Sequence, residues 1–179
     1  LERFLVALDL IGNKNGVAFA VMANYFRPDK FSVLEDFVKY LPQDMDFAIE
    51  LRAPEWFESE SIQDEWHQLF LENNITPVLT DTPGRRDVLH FRVVNEHLFV
   101  RFVGGVNTTI DSVRINNWAK KIVELIQSGV TNVWFYAHVP GDSREDVVPF
   151  NNELITAINK ISSYDIPLLK DYRLIEQQL

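Results

Sequence analysis

The stretch Asp46-Phe47-Ala48-Ile49-Glu50-Leu51-Arg52 alternates residue by residue between two characters. Read as a β-strand, it sets Phe47, Ile49 and Leu51 on one face and Ala48, Glu50 and Arg52 on the other. Strands of an α/β protein are normally covered on both faces, so a carboxylate and a guanidinium on one of them are costly unless paired or put to use. Similar polar endings follow other apolar runs, at Asp81, at Arg101, and at Tyr136 with His138.

Outward from this strand, short apolar runs alternate with amphipathic stretches. Gly16 to Met22 is a continuous apolar run, as expected for a strand buried on both sides. A helix is predicted from Ser32, with Glu35 completing a capping box, a stripe of Leu34, Phe37, Val38 and Leu41, and a stop at Pro42. Ser59 to Asn73 carries Ile62, Trp66, Leu69 and Phe70 on one helical face. Ile75 to Asp81 reads as a strand closed by the turn Asp81-Thr82-Pro83-Gly84, and Val88 to Val94 as a short strand or an extended loop. Leu98 to Val103 is a strand broken by Gly104-Gly105, and Ile115, Trp118, Ile122, Leu125 and Ile126 predict a helix running to Gly129. Val133 to His138 is the fifth strand and Val147 to Ile161 the last clear helix, while the tail from Tyr164 fits neither pattern. The chain begins without Met inside an amphipathic stretch (Phe4, Leu5, Leu8, Ile11) stopped by Gly12, so a fragment of a longer chain, or further residues upstream, is expected.

Alternating strands and helices with short connections imply parallel strands joined by right-handed crossovers. An open doubly wound sheet and part of a (β/α) barrel both fit. Neither G-x-G-x-x-G nor G-x-x-x-x-G-K-[ST] occurs, so no nucleotide-cofactor motif is present. Polar residues at the ends of several strands favour the barrel, whose reactions are built from such ends.

Bulk composition narrows the class. With 179 residues, 46% of them hydrophobic, the chain suits a single α/β domain over residues 1–179. A formal charge of −9 and scattered basic residues disfavour a nucleic-acid partner. The absence of cysteine excludes disulfides and thiolate metal sites. No apolar run is long enough to span a membrane and no signal-peptide pattern is seen, so a cytoplasmic location is the expectation.

Several motifs in order and at matching spacing resemble the YecE-like family, also called domain of unknown function 72. They are Asn13-Lys14-Asn15-Gly16, Phe26-Arg27-Pro28-Asp29-Lys30-Phe31, the run from Phe47 through Glu50, Arg52 and Pro54 to Trp56-Phe57, Asp81-Thr82-Pro83-Gly84, and Val100-Arg101-Phe102-Val103-Gly104-Gly105. The resemblance implies a partial TIM-like barrel, with the five parallel strands corresponding to barrel strands four to eight and helices outside. The first three strands would then lie outside this chain. A bare edge at Gly16–Met22 would invite pairing with another copy or aggregation. Two positions depart from the family pattern: Val103 stands where His is usual, and Tyr136-Ala137-His138 where many members have Phe-Asn-Asn. Phe150-Asn151-Asn152 falls within the last predicted helix instead.

Each candidate site residue has two readings. Glu50 is the candidate general base or metal ligand, with Arg52 and Arg101 as anion grips; the alternative is a structural ion pair. Asp81 is expected to face the same basin as a supporting acid–base or metal group, or to cap its own turn. His138, on a face with Tyr136 and Trp134, could join Glu50 and Asp81 around a divalent metal ion, or be a hydrogen-bonded structural histidine. Gly104 and Gly105 could cradle a phosphate, or form a turn capped by Asp111 or Ser112. Trp56 could stack on a sugar, or cover the barrel rim. His67, His90 and His97 show no metal spacing and are expected at the surface or in loops, and Arg85-Arg86-Asp87 reads as a solvated loop. The expected function is that of an enzyme acting on a small polar anion, such as a sugar or sugar phosphate, at the C-terminal mouth of the barrel. Tyr136 joins the arginines as a binding residue, and the alternative is a non-catalytic ligand-binding or protein-interaction module.

Overall fold

The computed structural model describes residues 1–105, 108–138 and 147–170. Five strands form one parallel sheet in strictly sequential order: β1 (Ala18–Val21), β2 (Phe47–Glu50), β3 (Ile75–Asp81), β4 (His97–Val103) and β5 (Asn132–His138). The helices are α1 (Glu2–Ile11), α2 (Phe31–Tyr40), α3 (Glu60–Glu72), α4 (Thr108–Gln127) and α5 (Val147–Ile161). With helices on its outer side the sheet is a half-barrel, the partial TIM-like barrel expected. No helix among the described residues is long and apolar enough to cross a membrane.

Local chemistry sets the boundaries. The Ser59 hydroxyl caps α3 by accepting the Ile62 N–H at 3.3 Å. Gly12 ends α1 at φ 58°, where a Cβ would be strained. The predicted capping box at Ser32 does not form: α2 starts at Phe31, and Lys30 in front of it makes no side-chain cap. Pro28 opens a short 3₁₀ turn through Lys30 that leads straight into the helix, so Ser32 already lies within it.

Two apolar clusters lie between the sheet and its helices. One gathers Leu34, Val38, Trp56, Trp66 and Phe70 over Phe47, Ile49 and Ile75. The other gathers Ile115, Trp118, Ile122, Leu154 and Ile158 over Leu98, Val100 and Phe102. The opposite, concave face is lined by Val17, Ala48, Val78 and Phe99, with Trp134 beside them. At the sheet's two edges this face is open: Phe19 on β1 is 44% exposed and Tyr136 on β5 is 48% exposed.

Two segments resolve an open reading. Residues 88–94 are not a strand; a 3₁₀ turn (Arg86–Val88) leads into irregular backbone. Arg92 ties this segment to α3 through Gln63 and Asp64. The tail after α5 is irregular but fastened. Asn152 and Asn159, two turns apart on one helical face, exchange two hydrogen bonds each with the backbone of Leu169 and Ile166 respectively. Of the histidines expected at the surface or in loops, His90 lies in a loop but is packed, and His97 opens β4. His97 is buried against Trp134 at 5.2 Å. His90 stacks on Phe57 at 5.2 Å and meets the edge of Trp66 at 5.4 Å, because aromatic rings from α3 and the turn before it cover the loop.

Desolvation in this sandwich lowers the His90 imidazole to about 4, although a hydrogen bond to the Val78 backbone pulls the other way. A base whose folded pKa lies below its unfolded value of 6.5 binds protons preferentially in the unfolded chain. Its contribution to stability is therefore complete near pH 7 and is lost as pH falls from 6.5 toward 4. Denaturant titrations should show the wild type losing on the order of 2 kcal/mol more than His90→Gln between pH 7 and pH 4. Equal losses would mean that burial does not hold the ring neutral.

Candidate functional site

Side-chain parity assembles the concave site. Partners in a parallel ladder point to the same side, so the pairs Val21–Glu50, Thr80–Arg101 and Arg101–Tyr136 place all five on one face. Glu50 ends β2 at 1% exposure. Arg101 reaches over β3 from β4, and its Nη1 donates to both Glu50 oxygens, at 3.1 and 3.3 Å. Arg52 brings Nε to 3.7 Å from Oε1 of the same carboxylate.

The arrangement is asymmetric in burial. The carboxylate is sealed, whereas the Arg101 and Arg52 side chains remain 31% and 37% exposed. Between them the Thr80 hydroxyl is buried without a hydrogen-bond partner among the described residues. Tyr136 stacks on Phe99 with ring centroids 5.0 Å apart, forming an exposed aromatic wall. A carboxylate floor, two guanidiniums with free surface and one uncommitted hydroxyl can hold a polar anion.

Several sequence candidates do not join this basin. Asp81 lies on the other side of the sheet, because in β3 it shares its face with Leu79 rather than with Val78 and Thr80. There its Oδ1 meets Arg86 at 3.0 Å and Arg114 at 2.8 Å, and its Oδ2 accepts the Trp118 indole N–H at 2.8 Å. Trp56 is fully buried and donates its indole N–H to the Phe26 carbonyl, so its ring is core rather than a stacking platform. Gly105 donates its N–H to Asp111 and Gly104 donates to the His138 carbonyl, which commits both amides. This is the capped-turn reading; Val106 and Asn107 of the same loop lie outside the described residues.

His138 is exposed at the end of β5, on the face of Tyr136. The expected metal set of Glu50, Asp81 and His138 is not assembled, since Asp81 faces the helices. Among the described residues no group of three His, Asp or Glu side chains could hold a metal ion.

Sequence reasoning missed Thr80 and the Asp81–Arg114–Asp111 network. Arg114 is buried, donates to Asp111 at 2.7 Å and to the Asp81 backbone carbonyl at 2.9 Å, and lies 4.2 Å over the Phe102 ring. A signal was present: the apolar stripe of α4, continued one turn back from Ile115, runs into Asp111.

Removing one partner of a buried pair leaves a bare charge, so Arg101→Met should destabilise the protein by about 3 kcal/mol. Arg52→Met, at a longer and more exposed contact, should cost under about 1 kcal/mol. Urea unfolding of both variants checks the ranking; equal costs would assign the Glu50 charge to both arginines alike.

Comparison with known proteins places this geometry. The family described as "Protein of unknown function DUF72" matches residues 1–166. No functionally curated protein matches the chain. The crystal structure of a DUF72 family protein from Enterococcus faecalis V583 superimposes with a TM-score of 0.72 at 18% identity, covering 95% of this chain and 69% of that one. A DUF72 family protein from Thermotoga maritima MSB8 gives a TM-score of 0.62 at 17% identity, covering 91% of this chain and 64% of that one. The chain thus spans about two thirds of the length of these relatives. At such identity the likeness carries the fold alone, and with the family match over residues 1–166 the chain belongs to the DUF72 family.

Proposed function

We propose that the concave face binds a small polar anion, of the sugar-phosphate or sugar-acid class, across Arg101, Arg52 and Thr80. The observation that carries this reading is the mismatch in burial around Glu50. A structural ion pair would bury both partners, yet here the two cation side chains stay 31% and 37% exposed, beside a hydroxyl without a partner among the described residues. An anion at that place would receive bidentate hydrogen bonds from guanidinium and one from Thr80. Tyr136 would offer its ring to the apolar face of a sugar.

In a catalytic version, the bound anion draws Arg101 away and frees Glu50 as a general base, with exposed His138 as a proton shuttle. The engagement of both Glu50 oxygens by Arg101 favours the second reading, a non-catalytic binding module.

Isothermal titration with glucose 6-phosphate tests the proposal. Arg101→Gln and Arg52→Gln should each weaken binding about tenfold, and Thr80→Val several-fold, with affinity falling as salt rises. Unchanged affinity in the folded variants would remove the basin as the binding site. Glu50→Gln separates the two readings: retained binding with lost turnover identifies an enzyme, whereas retained binding with no turnover in either protein identifies a binding module.

A further inference from the structure

The outer side of the sheet carries a second cavity, of about 380 Å³, between the segment after β3 and α4. That volume is within the range of small-molecule sites. Asp81, Arg86, Leu89, Phe91, Arg114 and Trp118 form much of its wall, and Lys120 and Lys121 with Glu124 complete the α4 side. Its lining holds four cations, Arg86, Arg114, Lys120 and Lys121, against two carboxylates, Asp81 and Glu124, in a chain whose net charge is −9. The local sign is thus opposite to that of the molecule.

The carboxylates are already engaged. Asp81 accepts from Arg86, Arg114 and Trp118, and Glu124 pairs with Lys121 at 3.1 Å. Lys120 is exposed, with no ion-pair partner among the described residues, and Arg86 is 57% exposed despite its bond to Asp81. A second observation comes from Arg114. This side chain is 7% exposed, and its Nε is a buried donor with no acceptor among the described residues. The apolar part of the wall is aromatic: Phe91 is 53% exposed and lies 5.6 Å from the Trp118 ring. Lys121 Nζ lies 6.0 Å over the Phe91 ring, so apolar ring surface and positive charge adjoin in one wall.

We propose that this cavity is a binding site for a small flat aromatic acid, an aryl phosphate or aryl carboxylate. The aromatic body would lie against Phe91, Trp118 and Leu89, and the anion would meet Arg86 and Lys120 at the open side. The site stands apart from the concave basin, on the other face of the same strand, and does not depend on the function proposed above.

Titration of the full chain with phenyl phosphate tests it, followed by calorimetry and by the Trp118 indole N–H signal in ¹H–¹⁵N spectra. One equivalent should bind about tenfold more tightly than inorganic phosphate or benzyl alcohol alone, and the Trp118 signal should move. Lys120→Gln and Arg86→Gln should each weaken binding read at Trp118 about fivefold, whereas Arg52→Gln, in the concave basin, should leave the Trp118 shift unchanged. Lys120→Gln removes no described contact, so it serves even if Arg86→Gln fails to fold. Three results would each overturn the proposal: no binding at millimolar phenyl phosphate, affinity unaltered by Lys120→Gln, or the Trp118 shift lost in Arg52→Gln.

Discussion

The hydrogen bonds from Arg101 to Glu50 are the constraint around which the concave face is organised. A carboxylate at 1% exposure is costly without a partner, and its main partner comes from two strands away. The pair therefore ties β2 to β4 across β3, a link the sequential ladder does not supply. It also fixes what the basin presents: negative charge is consumed at the floor, and positive charge is left at the surface.

Strand β3 divides the polar chemistry of the molecule. Thr80 and Asp81 are neighbours in sequence, yet one belongs to the concave face and the other to the layer beneath α4. On the helical side, Asp81, Arg114 and Asp111 form a buried chain of charges whose hydrogen bonds also cap Gly105 and hold the Trp118 indole. Such a network fixes a unique arrangement of strand end, loop and helix more than it adds net stability.

Much of this was readable from residue patterns, for reasons that also mark the limits. β3 begins and ends where the pattern places it, and α5 ends at Ile161 as its periodicity predicts, because turn residues and a clean period mark these bounds. The convergence of Glu50, Arg52 and Arg101 follows from alternation in β2 and β4, where polar and apolar faces contrast. Asp81 was misplaced because every residue of β3 is buried, so parity shows which residues share a face but not which face is inward. Trp56 deceived for another reason. Its position after a strand end suggests a rim, but Phe26 and Phe31 pack on it and the Phe26 carbonyl takes its N–H. Arg114 stayed hidden because a lone arginine in a helix is usually solvated, and its burial rests on Asp111 one turn back and on the far-off Asp81 together.

The sequential strand order bears on how the polypeptide is made. Each strand pairs with its immediate predecessor, so a chain emerging from the ribosome could add strands to a growing edge in the order of synthesis. Glu50 qualifies that picture. Until residue 101 has been translated, the carboxylate ending the second strand lacks its principal counter-charge, and the early sheet carries an electrostatic penalty. The burial of Glu50 is thus coupled to the arrival of the fourth strand, which brings Arg101.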